Sequence, residues 1–553
     1  MKRLLLTLFS ITLLTGGLVA QNTIGLLSYK PAKAFHGFNL IYPHNQPNVY
    51  LFNNCGEIVH VWEDDAGFRP GNTAYILDDG RLVKTKRPAA VAMDPIWAGG
   101  GGAIVEIRDW DNNLLWDFEM NNEEERLHHD IAVMSNGNIL MIAWEVKTEA
   151  EAIQAGRDPA LLPDGELWPD YVLEVNPTTD EIVWEWHVWD HLIQDFDATK
   201  DNFGVVEDHP GRIDINYDTS DGADDWLHTN AIDYNEELDL IMLSVPTFNE
   251  IWIIDHSTTT QEAAGSTGGN GKRGGELMYR YGNPAAYQSG TEDDQKLFYQ
   301  HDPNWIDDFV EFGDPNYGRI AVFNNRVTDE ESNVHILNPV FDMYDWEYPM
   351  DGDTWGPESF DFTYAHPQPE RMHSTGLSGV QFLPNGNALI SAGRTGYAFE
   401  ITPDEEIVWE YVTPLIVGSP ATQGDSLILN QNLTFRVKRY PADFAAFDGK
   451  DLSGQGYLEL EPNTDFCQTI LASVEEIPAN TLTLFPNPTN STLTIEWEGG
   501  MEVDIEVFTL TGQPVNRWRA TGGRKYCDLS NWSPGVYLVR INQSEVRRLI
   551  VTK

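Results

Sequence analysis

Only three cysteines, Cys55, Cys467 and Cys527, occur in 553 residues. That scarcity excludes a disulfide framework and a four-thiolate zinc site. Basic residues are few as well: 35 Lys and Arg stand against 86 Asp and Glu, a formal charge of −51. Such a field repels phosphate backbones and anionic lipid surfaces, which excludes a nucleic-acid or polybasic membrane role. No stretch of about 18 uninterrupted apolar residues occurs, so no membrane-spanning helix is expected. Apolar material is nevertheless plentiful. Hydrophobic residues make up 41 % of the chain and aromatics 11 %, with 18 Trp. This is too rich for a disordered acidic chain, and a large core can form.

The N-terminus is a targeting segment. Lys2 and Arg3 precede an apolar run over residues 4–14, and Gly16, Gly17 and Ala20 follow. This is the pattern of a secretory signal peptide over residues 1–20. The exported chain reaches a compartment where disulfides form.

The middle of the chain repeats. Residues 383–390 (Leu-Pro-Asn-Gly-Asn-Ala-Leu-Ile) echo residues 134–141 (Met-Ser-Asn-Gly-Asn-Ile-Leu-Met), and residues 77–83 are a shorter relative. Asn-Gly or Asp-Gly between apolar runs signals a hairpin with both turn residues at φ > 0. A second phrase, residues 397–411, matches residues 171–186; it is a strand, a polar turn and a strand ending in an aromatic. The closing aromatics are Trp62, Trp116, Trp184, Tyr279, Trp346 and Trp409. Unevenly spaced β units with inserted loops predict an all-β chain whose main part, residues 21–474, is a six-bladed β-propeller. The hairpin at 49–63 lacks its opening strands, and 424–440 supplies two strands without a closing hairpin. Pairing them closes the ring from both chain ends and removes its free edges. Cys55 and Cys467 lie on those two ends, as a disulfide or as two buried thiols.

Residues 475–480 read as a linker. Residues 481–553 read as a separate small Ig-like β-sandwich of short strands ending in a basic one. Its phrases Phe-Pro-Asn-Pro-Thr (485–489) and Leu-Ser-Asn-Trp-Ser-Pro-Gly-Val-Tyr (529–537) resemble the C-terminal sorting domain of type IX secretion in Bacteroidota. The resemblance implies the type IX machinery as partner and a secreted or cell-surface protein exported through the periplasm.

Four histidines share one phase of the repeat, each just ahead of an apolar strand: His129, His228, His301 and His373. First strands of propeller blades line the central channel, so equivalent positions converge at one mouth. Arg326 and Arg394 fall on two of the same units. Several His and Arg inside a strongly acidic protein form a positive island suited to an oxyanion.

The same chain, over about residues 30–450, resembles the bacterial arylsulfate sulfotransferases. The matching pieces are residues 227–234 (Leu-His-Thr-Asn-Ala-Ile-Asp-Tyr), 279–284 (Tyr-Arg-Tyr-Gly-Asn-Pro), 300–302 (Gln-His-Asp), 322–326 (Val-Phe-Asn-Asn-Arg) and 383–387. The resemblance implies transfer of a sulfuryl group from an aryl sulfate ester to a phenol through a covalent enzyme intermediate, without a cofactor. On the family pattern His228, His301 and Arg326 match residues that hold and polarise the sulfate. The family's sulfated histidine falls by phase near Tyr397. His373, with Arg394 on the same unit, is the expected nucleophile and Tyr397 the fallback. His129 and Asn230 complete the expected substrate-binding set, and His129 or His301 is the expected proton relay.

Two other classes compete. One is a surface propeller that binds a sulfated or other anionic ligand without turnover. The other is metal-assisted hydrolysis with His129, Asp130, His228, His301 and Asp302 as ligands, although their spacing fits no compact metal motif. Residues 214–225 alternate oxygen ligands like a calcium loop but lack the glycine of the sixth place, so a solvated acidic loop is expected. Inserts at 147–169 and 187–225 are expected to roof one face.

Overall fold

Antiparallel ladders form wherever a tight turn joins two of the apolar runs. The computed structural model describes residues 22–306, 317–468, 483–497, 503–509, 514–541 and 545–552. The expected signal peptide, 1–20, and the expected linker, 475–480, lie outside the described residues. The protein is all-β, 43 % strand and 8 % helix, and it divides into two compact units, Met1–Cys467 and Gln468–Lys553.

In the first unit a sheet pairs Phe68–Ile76, Leu82–Pro88, Ile104–Arg108 and Leu114–Glu119 in that order. The next holds Glu125–Val133, Ile139–Glu145, Asp170–Asn176 and Glu181–His187; another holds Ala231–Asn235, Leu240–Val245, Glu250–Asp255 and Tyr279–Tyr281. His301–Trp305, Ile320–Asn324, Asn333–Leu337 and Phe362–Ala365 follow. Gly379–Phe382, Ala388–Ala392, Tyr397–Ile401 and Ile407–Val412 take Gly25–Tyr29 as a fifth strand. Thr434–Pro441 pairs with Gly37–Pro43, Val49–Asn53 and Ile58–Trp62. The leading strand of each sheet packs beside the leading strand of the next, and Thr434–Pro441 packs against Phe68–Ile76.

Three expectations need correction. The last sheet takes one strand from the C-terminal side and three from the N-terminal side, not two and two. The hairpins use a different turn. Gly80, Gly137 and Gly386 have φ of 85°, 88° and 84°, but Asp79, Asn136 and Asn385 do not share the left-handed conformation. Leu383 N–H donates to Asn387 O at 2.8 Å while Gly386 N–H donates to Leu383 O at 2.8 Å. The loop is therefore one residue longer, with glycine alone in the left-handed position. Finally, Trp346 does not close its sheet; Phe362–Ala365 does.

The other closing aromatics have a common task. Trp62 Nε1 donates to Asp109 O at 3.1 Å, Trp116 to Asp180 Oδ1 at 3.1 Å and Trp184 to Thr258 Oγ1 at 3.3 Å. Tyr279 Oη donates to Gly356 O at 2.7 Å, and Trp409 Nε1 to Asn54 O at 2.8 Å. Each reaches into the next sheet. An aromatic with a polar tip suits this place because its ring fills the gap between sheets while its N–H or O–H finds an acceptor.

Aspartates clasp the leading strands in the same way. Asp233 Oδ2 accepts from Trp305 N–H at 2.8 Å, and Asp302 Oδ2 from Val380 N–H at 3.0 Å. Arg436, on Thr434–Pro441, spans between strands: Nη1 lies 3.0 Å from Asp302 Oδ1, and Nη2 lies 3.0 Å from Asp130 Oδ2, off the hydrogen-bond line. Tyr75 adds a phenol, 2.9 Å from both Asp130 Oδ1 and Arg436 Nη1.

Cys55 and Cys467 are bonded, joining residues 412 apart in sequence. Such a link restricts the unfolded chain strongly. Replacing both by serine is expected to lower the free energy of unfolding by about 2–5 kcal/mol, read as a lower urea midpoint. An unchanged midpoint would show that the bond does not constrain the unfolded chain.

In the second unit, Thr483–Phe485, Thr492–Glu496 and Arg524–Asp528 form one sheet, and Pro514–Ala520, Val503–Thr509, Gly535–Ile541 and Glu545–Val551 another. Leu493, Ile495, Ile505, Val507, Val539 and Leu549 share one buried core. Among the described residues no helix is long and apolar enough to cross a membrane.

Candidate active site

Each of four leading strands has a residue in left-handed backbone, within Glu125–Val133 or just ahead of the other three. His129, His228 and Tyr299 have φ of 53°, 55° and 56°, and Leu377 of 61°. A non-glycine residue in this region costs on the order of 1–3 kcal/mol, and such strain concentrates at functional sites. Here it turns side chains from separate sheets toward one another. Residues 99–102, four glycines, pass over the result. A Cβ on Gly100 would lie 1.9 Å from His129 Cε1 and 2.5 Å from Nε2, so only glycine leaves that ring edge free of a methyl group.

The His129 and His228 rings meet edge to face, centroids 4.5 Å apart. His228 faces Tyr299 at 6.2 Å, and the Arg326 guanidinium lies 3.5 Å from the Tyr299 ring centroid. Arg326 Nε donates to Thr375 O at 2.9 Å, which aims the guanidinium. A cavity of about 500 Å³ is lined by Asp225, His228, Asn249, Tyr299 and Arg326 among others. Arg394 packs its guanidinium on Gly376 and donates from Nη1 to Asn430 Oδ1 at 3.2 Å; its buried Nε has no acceptor among the described residues. Its charge is felt at Arg326: burial lowers the Arg326 pKa, Tyr299 opposes this and Arg394 adds to it.

The histidines differ in state. His228 Nδ1 pairs with Asp225. Burial disfavours its imidazolium, but the Asp225 carboxylate outweighs this and raises its pKa. His129 is held well below the ordinary value by burial, and the His228 imidazolium beside it and the Arg126 guanidinium act in the same direction. His301 is pushed down to about 3 by burial. Both of its nitrogens are taken: Nδ1–H donates to Asn325 Oδ1 at 2.8 Å, and Nε2 accepts from Leu377 N–H at 3.0 Å.

Of the residues named from sequence, His228 and Arg326 line this cavity, His129 stands against His228, and Arg394 acts on Arg326 through its charge. His301 lies beneath them as a neutral strut, with no nitrogen left for a ligand. Asn230 is buried and donates from Nδ2 to Gln300 O at 2.9 Å, tying two strands. His373 follows the short helix Pro369–Met372, with Nδ1 3.5 Å from Ser332 Oγ. It borders a separate cavity walled by Asp329, Glu330, Glu331 and Glu370. Tyr397 donates to Glu410 Oε1 at 2.8 Å under the Arg371 guanidinium, among groups of its own sheet. Its phenol is held neutral by burial and by Glu410.

Sequence reading missed Tyr299, His128, Asp170 and Asp225. Tyr299 stood two residues before a histidine already singled out. Asp225 was absorbed into the apparent calcium loop, which is neither solvated nor free: Asp218 pairs with Arg157, burial raises Asp214 to about 6, and Asp225 holds His228. The 187–225 insert thus supplies Thr219, Ser220 and Asp225 to the cavity wall. Among the described residues no three His, Cys, Asp or Glu side chains converge to hold a metal. Asp130 and Asp302, expected among the ligands in the hydrolytic reading, hold Arg436 instead.

The family model for arylsulfotransferases matches residues 30–412, and the model for the secretion-system C-terminal sorting domain matches residues 483–552. No curated protein matches. Among solved structures, a protein of unknown function from Bacteroides caccae matches with TM-score 0.38 and 10 % identity over 73 % of this chain and 99 % of that chain. A catalytically inactive virginiamycin B lyase from Staphylococcus aureus with quinupristin matches with TM-score 0.31 and 9 % identity over 71 % and 88 %. The Dos1 propeller matches with TM-score 0.30 and 10 % identity over 72 % and 75 %.

Proposed function

This chain belongs to the arylsulfotransferase family, and from that premise we propose that it moves a sulfuryl group from an aryl sulfate to a phenol through a covalent enzyme intermediate. The carrying observation is the cavity beside His228, Tyr299 and Arg326, where cationic donors face a half-buried aromatic wall. The type IX sorting domain at 483–552 marks the protein for export to the cell surface or the medium. We read its route as passing through the periplasm, with 1–20 as signal peptide, 21–474 as the catalytic domain and 481–553 as the sorting domain. We also read the catalytic domain as a six-bladed ring. Supporting this is the run of neighbouring leading strands that returns from Thr434–Pro441 to Phe68–Ile76.

Chemistry follows from the charges. Sulfuryl transfer builds negative charge on the sulfuryl oxygens and on the departing aryl oxygen. Fixed guanidinium donors at Arg326 and Arg394 stabilise the first, and preorganised charge of this kind is usually the largest catalytic term. The His228 imidazolium offers an Nε2–H to the second. The Tyr299 ring, stiffened by Arg326, supplies an apolar edge for the aryl group. His373 and Tyr397 are not used in this scheme. The acidic wall beside His373 repels a sulfate, and the Tyr397 phenol is committed to Glu410.

Incubating the purified protein with a chromogenic aryl sulfate tests the reading. Phenol-dependent release of the chromophore and appearance of phenyl sulfate, with parallel-line ping-pong kinetics, are expected. His373→Ala and Tyr397→Phe are expected to leave kcat/KM unchanged; a collapse in either would move the chemistry to that residue. A ligand that binds and returns intact under every condition would replace transfer by capture.

A further inference from the structure

Carboxylates reach almost every guanidinium of the first unit. Among its described arginines, only Arg69, Arg87, Arg326 and Arg394 have no carboxylate oxygen within 4.0 Å. Their places follow the repeat. Arg326, Arg394 and Arg87 each stand within two residues of the end of the second strand of a sheet, and His44 takes that place after Gly37–Pro43. The four sheets are neighbours, since their leading strands pack side by side. Antiparallel pairing sets this end beside the start of the leading strand, where Tyr299 stands in one sheet and Arg69 pairs with Arg87 in another.

Arg326 serves the sulfuryl cavity, and the others carry the positive arc away from it. The Arg87 guanidinium lies 4.3 Å from the centroid of Trp97, which adjoins Ala98 of the cavity wall. That ring stiffens the arginine. Asp94, the carboxylate whose charge Arg87 feels, is bound to Arg126. His44 lies in the field of both Arg87 and Arg394: burial pushes its pKa down to about 4, both guanidinium charges act in the same direction, and Asn72 opposes them. Buried polar atoms here are unanswered. His44 Nε2, Asn72 Nδ2 and Arg394 Nε have no hydrogen-bond partner among the described residues. Asn72 is 4 % exposed and sits in a bulge of Phe68–Ile76 at φ 134°. Bulges of this kind re-aim side chains at sites.

Like charges near one another are costly without a counterion, and a chain with 86 Asp and Glu supplies none here. An oxyanion does. Guanidinium forks match the oxygens of sulfate, sulfonate or carboxylate, and the Asn72 amide adds N–H donors. We propose that a second oxyanion subsite lies between Arg394 and Arg87, beside His44 and Asn72, and that the aryl substrate carries a second anionic group that docks there. The identity of the substrate rests on the sulfuryl-transfer reading; the subsite does not. Arg394 stands between the two anionic groups and serves both. The second group is not transformed. It holds the substrate equally in ground and transition states, so its effect falls on KM.

The experiment gives the full-length protein chromogenic aryl sulfates bearing a ring sulfonate, in ortho, meta and para isomers, and the matching sulfonamides of equal size. At least one sulfonate isomer is expected to exceed its sulfonamide about 10–100-fold in kcat/KM, through KM. Arg87→Met keeps an apolar stem on Trp97 and should abolish this preference while leaving the sulfonamide rates unchanged. Arg87→Lys restores charge and should recover part of it. Calorimetry with benzenesulfonate and the benzenedisulfonates, which cannot transfer, reads the same preference without turnover. Equal kcat/KM within every pair, with transfer intact, would overturn the second subsite and leave the sulfuryl reading standing. A protein that transfers nothing, yet prefers a disulfonate until Arg87 is replaced, would keep the subsite and overturn transfer. A preference that survives in Arg87→Met would overturn the assignment to Arg87. Inorganic sulfate that binds in an Arg87-dependent way, with no isomer preferred, would make the occupant a free ion and overturn the substrate claim.

Discussion

His228→Gln is expected to lower kcat/KM for aryl sulfate by about 10²–10⁴-fold, the range for loss of a positioned general acid. Glutamine keeps a donor in the cavity but cannot pass a proton. The loss should therefore fall mainly on kcat, and it should shrink for aryl sulfates whose phenols are strong acids and leave unaided. An equal loss for good and poor leaving groups would remove His228 from the proton path. The pH dependence carries the same assignment. Asp225 raises the pKa of His228 above its ordinary value. The imidazolium is present below that raised pKa and is lost as pH rises through it, so activity should fall with rising pH, and at a higher pH than an ordinary histidine would give. Asp225→Asn removes the raising partner and should move this limb to lower pH. A limb that stays in place would show that another group sets it.

Arg436→Leu should destabilise the first unit by about 3–5 kcal/mol, the usual cost of removing one partner from a buried ion pair. Burial disfavours the charge on this arginine, but Asp130 and Asp302 outweigh it and raise its pKa. Without it, two carboxylates stand buried and unpaired in the channel. Burial already raises Asp302, and the leucine variant loses the main opposing charge. A carboxyl with a raised folded-state pKa binds its proton more tightly folded than unfolded, so the variant should recover stability as pH falls. Urea titrations at neutral and mildly acid pH read both effects. Adding Asp130→Asn and Asp302→Asn should restore part of the loss at neutral pH. A neutral Arg436→Leu effect would mean that the off-line geometry at Asp130 contributes nothing.

Local pattern carried much of the protein into view. Apolar alternation around Asn-Gly and Asp-Gly turns marks strands because side chains alternate faces with period two, and that signal needs no partner. Recurring closing aromatics expose the repeat for the same reason, although Trp346 misled: an aromatic in a loop looks the same in sequence as one ending a strand. His129, His228 and His301 were visible as polar residues beside apolar runs, but not in one register: His129 lies within Glu125–Val133, His228 three residues ahead of Ala231–Asn235, and His301 opens His301–Trp305. Export was legible from the terminal module, whose phrases are local.

By itself, then, the sequence determined the all-β repeat, the sorting module and the histidine-rich ends of the leading strands, all properties of contiguous segments. Tertiary structure alone decided which nitrogens are free. His301 loses its Nε2 to the backbone of Leu377, 76 residues away. His128 finds Asp170 on another strand of its sheet, and Arg436 finds carboxylates on two others. A histidine's chemistry is set by the groups at its two nitrogens, and partners from distant segments leave no periodic trace in the chain that would announce them.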